Sequence, residues 1–210
     1  ISRSVKPVDQ DSSEMFAKAS RARKALEFLE SIDYSKDADA EAIAKATINI
    51  EGDPVDFIDE CRAKLAELHT SLANAEKQLQ ATLPWGEYDK KALDGLKDLG
   101  YAIRYYAVDA KKFDESWGEL YPLQVVENNG KKVWFVTVAP KGEAYSFPVQ
   151  EVAAPEITSA EAASDIARIK TEITDCKAGL LNAKDYIPAI KEACNSDLVE
   201  LDRYLAKEAG

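Results

Sequence analysis

Histidine is almost absent from this chain: His69 is the only one in 210 residues. Any Ser-His-Asp or Cys-His nucleophile pair would have to use it. His69 directly follows Leu68 in an apolar helical stripe, so it is expected at the edge or outside of that stripe, as a surface residue. Cysteine is scarce too. Cys61, Cys176 and Cys194 form no CxxC pair and no Cys/His spacing suited to zinc. Two of the three plainly occupy seam positions, where a reduced thiol packs as a small hydrophobe, and the expectation is core packing in a reducing cytoplasm. A Gly-rich phosphate loop, an HExxH helix and an Asp/Asn/Gly calcium loop are all missing. No apolar run approaches the length needed to cross a bilayer as a helix, the longest clean stretch lying near Val133–Ala139. Positive charge is in deficit: 27 Lys and Arg against 38 Asp and Glu leave a formal charge of −11. That balance argues against a nucleic-acid partner bound through phosphate neutralisation, and against docking on an anionic membrane surface. The expectation is a chain with no catalytic residues, no cofactor and no metal.

What is present is a repeated apolar ladder. Ile58, Cys61, Leu65, Leu68, Leu72, Ala75 and Leu79 step by threes and fours. So do Ile166, Ile169, Ile173, Cys176, Leu180, Ala183, Ile187, Ile190 and Cys194. This is the seam pattern of a coiled coil, and a stripe so narrow needs a partner helix. The expected fold class is α+β: a long antiparallel helical hairpin, a coiled coil, carrying a small α+β lobe at its tip. The expected parts are an outbound arm over 1–82, broken near 33–53, a lobe over 83–156 and a return helix over 157–210.

Local signals fill in the parts. Ser12 and Ser13 suit a helix cap, and Phe16, Ala19, Ala22, Leu26 and Leu29 keep a stripe to about Ile32. A short Ala-rich helix follows near Ala40–Ile48. Gly52-Asp53-Pro54 stops it and starts the long helix that runs to about Ala81. Beyond Pro84, Asp89–Leu99 reads as a helix closed by Gly100, Tyr101–Val108 as a strand and Ala110–Leu120 as a helix with Phe113 and Trp117 on one face. Leu123–Glu127 and Lys132–Val138 read as strands joined by Asn128-Asn129-Gly130, Ala139–Tyr145 as a loop and Ser146–Val152 as an edge strand. Pro188 and Asp197 interrupt the second ladder, so the return helix is expected to bend or change phase near 188–197. Aromatic residues from Tyr101 to Tyr145 crowd the lobe. Alternation puts Trp134, Val136 and Val138 on one sheet face and Val133, Phe135 and Thr137 on the other. With both faces apolar, either one is left partly exposed as a docking surface or the helices and the end of the arm cover both. The candidate contact residues are Trp134, Val136, Tyr105 and Trp85.

Several of these phrases resemble a known family. Leu83-Pro-Trp-Gly-Glu-Tyr-Asp, then Gly100-Tyr-Ala-Ile-Arg-Tyr-Tyr, Lys112-Phe-Asp-Glu-Ser-Trp, the Val133–Val138 strand and Pro155-Glu156 follow the order and spacing of subunit I of bacterial and archaeal V-type (A/V-type) ATP synthases. That subunit is the counterpart of the eukaryotic V-ATPase a subunit. The likeness is specific over 83–156 and architectural over 54–82 and 157–205. It implies a non-catalytic stator fragment on the cytoplasmic face of the membrane, whose distal lobe grips a peripheral-stalk heterodimer of the E/G type. It also implies a membrane-proximal lobe and a membrane domain elsewhere in the same parent chain. The first residues, Ile1-Ser-Arg-Ser-Val, include no initiator Met and no signal peptide, which fits a piece of a longer protein. The alternative is a coiled-coil adaptor or hinge protein unrelated to ATPases. An enzyme with its site in the lobe is a third reading, lacking a clustered set of acid, base or metal ligands.

Overall fold

The computed structural model describes residues 10–142 and 146–209. Among them the chain is α+β, with seven α-helices and one three-stranded sheet. The expectations placed on Tyr145 lie outside the described residues. Two compact units form. The first joins the residues through Ser71 to those from Ile169 onward, and the second is Leu72–Arg168.

The first unit is helical. Helix α1 (Gln10–Ser31) is already under way before Ser12, which is buried inside it instead of capping it. Ala19, Ala22, Ala25, Leu26 and Leu29 face inward, whereas Phe16, expected on that stripe, is 63% exposed. The alanines let another helix approach closely. Cys194, on helix α7 (Ile187–Glu208), sends its thiol to the Ala19 carbonyl at 3.6 Å. At the far end of α1 the Lys184 ammonium donates to the Ile32 carbonyl at 2.5 Å, supplying a positive charge where the last turn of α1 has none.

Helix α2 is shorter than expected, Ala40–Lys45. Helix α3 spans Pro54–Thr82, and its start follows from three residues. Gly52 takes φ 77°, Asp53 Oδ1 accepts from the Val55 and Asp56 amides at 2.8 and 3.0 Å, and Pro54 occupies the first turn, where no N–H is needed. The Arg21 guanidinium forks onto Asp56 and Asp59 (2.5 and 2.6 Å), and Arg62 lies over the Phe28 ring at 4.2 Å. These pairs advance together, so α1 and α3 run side by side in the same direction. Sequence order alone would put them end to end.

Helix α6 (Ser159–Ala183) runs opposite to α3 within this unit. A Cβ added to Gly179 would lie 2.9 Å from the Phe57 ring, and farther along α3 Lys64 reaches Glu172 at 3.7 Å. No residue of either ladder is exposed. Between α6 and α7 a single 3-10 turn, Lys184–Tyr186, breaks the helix just before Pro188. A proline at 188 would drive its ring into the Lys184 carbonyl of a regular helix. That carbonyl instead accepts from the Ile187 amide, and Pro188 sits in the first turn of α7. The interruption thus falls ahead of the interval 188–197. Asp197, inside that interval, stays helical and half-buried and pairs with Lys18 at 3.7 Å, while Leu198 and Leu201 take over the inward positions.

The second unit holds the sheet. Strand β1 (Tyr101–Asp109) and strand β2 (Leu123–Asn128) flank strand β3 (Lys132–Pro140), all antiparallel. The β2–β3 turn needs positive φ only at Gly130 (81°), and Asn129 Oδ1 accepts from the Lys131 and Lys132 amides. Two expectations fail here. Ala110–Leu120 is not one helix but a 3-10 turn (Ala110–Lys112) and a single turn, α5 (Trp117–Leu120). Asp114 draws the Ser116 amide into a local turn at 2.9 Å, and extended backbone at Phe113 turns its ring into the sheet. Ser146–Val152 is not a strand: only Val152 bridges to β1, its amide donating to the Tyr105 carbonyl at 2.8 Å. Phe147 instead joins Tyr106, Phe113, Trp117 and Phe135 in an aromatic cluster over one sheet face, with Tyr106 stacked on Phe135 at 5.1 Å.

Two outcomes test the helical unit. Gly179→Ala should be nearly neutral, because better helix propensity offsets a small shift of the Phe57 ring. Gly179→Leu should cost about 1–3 kcal/mol of unfolding free energy, read as a lowered urea midpoint. The second concerns Asp37, which pairs with Lys177 at 2.5 Å, both side chains being less than a fifth exposed. The hydrogen bond from Lys177, then that from the Asp39 amide, holds the Asp37 carboxyl below its usual value. A lowered folded value means the contribution is complete above about pH 4 and is lost as pH falls through the lowered value. Asp37→Asn should therefore destabilise the chain by about 1–3 kcal/mol at pH 7, and the difference should shrink in denaturant titrations as pH falls below the usual aspartate range.

Candidate functional site

The Pro-Trp-Gly-Glu-Tyr-Asp phrase sits where α3 ends. Leu83–Trp85 tightens into a 3-10 turn begun by Pro84, and Gly86 (φ 64°) turns the chain out of it, a conformation that disfavours any side chain. Of the next four residues, Glu87, Tyr88 and Lys90 reach toward the start of α6, while Asp89 caps the helix that follows. Glu87 Oε1 accepts from the Ala160 amide at 2.8 Å and from the Ser159 hydroxyl, so a carboxylate lies against the positive end of that helix. The Tyr88 hydroxyl donates to the Pro155 carbonyl at 3.1 Å. Asp89 Oδ1 accepts from the Lys91 and Ala92 amides, capping helix α4 (Lys90–Asp98). Lys90 pairs with Glu161 at 2.7 Å.

Glu161 is itself half of a reciprocal cap, accepting from the Thr158 amide at 3.0 Å while the Thr158 hydroxyl accepts from the Glu161 amide at 3.2 Å. Lys90 first, then the Thr158 amide, keeps the Glu161 carboxyl below its ordinary value. The corner therefore supplies the caps of two helices, and it pins the first turn of α6 to the segment following α3. The family resemblance singles out this phrase but not the cap that it forms. Its signal was available: an acidic residue after a turn, and a second helix starting with unpaired amides.

Tyr105, Trp134 and Val136 share the sheet face opposite the aromatic cluster, Tyr105 standing directly across from Val136. Trp85 meets the edge of the Tyr105 ring at 5.3 Å and 86°, so all four candidate contact residues gather at that face. They are not equally accessible. Trp85 is only 9% exposed, so it anchors the corner from the inside, while the other three are half-buried. Burial also holds the Tyr105 hydroxyl above its usual range. The Lys132 ammonium stands 6.0 Å from the centre of the Trp134 ring. The opposite face is closed, with Val133, Phe135 and Thr137 at 1% exposure or less.

More open apolar residues lie elsewhere in the lobe, at Leu99, Leu120, Val125 and Val126. Val125 and Val126 lie on the outer strand β2, which side-chain alternation alone does not distinguish from the central β3. Among the described residues no group of three or more His, Cys, Asp and Glu side chains could hold a metal ion, and no helix is long and apolar enough to cross a membrane. His69 is exposed on α3. No protein-family model, no curated protein and no solved structure matches the chain.

Glu87→Ala removes the acceptor from the start of α6. The expected cost is about 1–2 kcal/mol in chemical unfolding, with amide hydrogen exchange accelerated at Ser159 and Ala160 and little changed in α7.

Proposed function

We propose that this chain is a non-catalytic stator piece of a V-type ion-translocating ATPase or ATP synthase, linking the membrane sector to the peripheral stalk. In this reading the two ladders form the seam of a long antiparallel coiled-coil hairpin, and the α+β lobe binds the E/G-type stalk heterodimer. Its place is the cytoplasmic face of the membrane, with the membrane-proximal lobe and membrane domain in the same parent chain.

One observation carries the proposal beyond the resemblance of motifs. The Trp85–Lys90 corner, the most specific of those motifs, ties the end of α3, the start of α4, the start of α6 and the sheet through short directed contacts. A part that must transmit load between helices and a binding lobe needs such a joint, since apolar side chains alone slide along a seam more easily than capped, hydrogen-bonded ends part. The half-buried face around Trp134 and Val136 is the surface assigned to the stalk, because the other face is filled by the aromatic cluster.

The test is titration calorimetry of the chain with the E/G-type heterodimer from the same organism. Binding is expected, weakened about tenfold by Trp134→Ala. A folded chain, verified by circular dichroism, that binds no stalk heterodimer would overturn the proposal. A constitutive dimer in light scattering would favour the adaptor or hinge reading.

A further inference from the structure

The three cysteines are free, Cys61 half-buried and Cys176 and Cys194 buried. Phe57 lies against Gly179, and Lys64 reaches Glu172. Four residues along α3 from Phe57 is Cys61, and three residues back along α6 from Gly179 is Cys176. Three more on α3 and four more back on α6 give Lys64 and Glu172. The register of the two antiparallel helices therefore brings Cys61 opposite Cys176, and each thiol acts electrostatically on the other. Cys194 is excluded from this pair, since its thiol is engaged with the Ala19 carbonyl on α1.

We infer that Cys61 and Cys176 are a latent redox crosslink, which a small-molecule disulfide closes into a covalent bond between α3 and α6. Cys61 is half-buried and Cys176 buried, so Cys61 is the thiol an oxidant meets first. Its thiolate attacks one sulfur of the reagent disulfide and expels one reagent thiolate. Cys176 then loses its proton and attacks the Cys61 sulfur of the mixed disulfide, expelling the second. Two protein thiols are oxidised by two electrons, one disulfide is reduced to two thiols, and the two protons end on the leaving thiolates.

The reaction is slow near neutrality. Burial, with Cys176 and Glu60 adding and Lys64 opposing, pushes the Cys61 thiol up to about 11, so thiolate is rare at pH 7. The pair is therefore silent in a reducing compartment and responds to sustained oxidising conditions. Once closed, the bond fixes the register of the two helices.

The experiment incubates the native chain with oxidised glutathione at pH 8.5 and follows intact mass, peptide mapping and thermal unfolding. The expected result is a loss of about 2 Da, a Cys61–Cys176 linked peptide, and an unfolding midpoint raised by roughly 5–10 °C and reversed by dithiothreitol. Cys61→Ser and Cys176→Ser should abolish the mass loss, and Cys194→Ser should keep it. The inference is overturned by a mixed adduct on Cys61 that never resolves, by a linkage that includes Cys194, or by crosslinking seen only in denaturant. Because wild-type mapping decides among these, a variant that fails to fold does not blur the outcome.

Discussion

A narrow apolar stripe on a long helix cannot be left in water, and this constraint shapes the helical part of the chain. Each ladder offers too little width to build a core alone, yet enough apolar surface that its exposure would cost more than the marginal stability of a domain of this size. Both stripes are withdrawn from solvent along their length. Where α3 and α6 meet in the first unit, several contacts share one antiparallel register. Gly179 leaves room for the Phe57 ring, Lys64 is aligned with Glu172, and two cysteines are brought face to face. Polar contacts then tune a geometry that desolvation has already imposed.

The second requirement is the satisfaction of helix ends. The first amides of α6 and α4 have no partners inside their own helices, and one short segment meets both needs with Glu87 and Asp89. Thr158 and Glu161 complete the α6 end reciprocally, and Lys90 couples that pair back to the same segment. A turn of this kind is more than a connection. It converts the direction of one helix into the position of another, and Trp85, buried against Tyr105, keys it to the sheet. The proposed stator role uses that stiffness.

Much of the fold was legible in the residues. Gly52-Asp53-Pro54 marks the start of α3 to the residue, Asn128-Asn129-Gly130 marks the hairpin, and alternation along Lys132–Val138 separates the two sheet faces correctly. Signals of this sort are local, since each depends on φ, on a cap or on side-chain periodicity within a few residues. The failures were equally physical. Phe16 has the right spacing for an inward stripe, but the alanines at 19, 22 and 25 are what α7 packs against, and the larger ring is left outside. Ala110–Leu120 has helical spacing at Phe113 and Trp117, yet both rings are needed over Phe135, and the backbone gives up the helix to place them. Of the candidate contact residues, Tyr105, Trp134 and Val136 follow from strand periodicity, but the burial of Trp85 does not, because it arises from a contact across twenty residues of chain.

By itself, then, the sequence determined the α+β class, the helix stripes, the turns and the scarcity of chemistry-bearing side chains, since composition and local propensity suffice for these. Only the tertiary structure decided that α1 runs beside α3, that Glu87 closes the end of α6, and that Cys61 meets Cys176. Each of these depends on which distant amides, stripes and rings come together, and that choice is made by burying surface and pairing orphan groups across the chain, where no local pattern reaches.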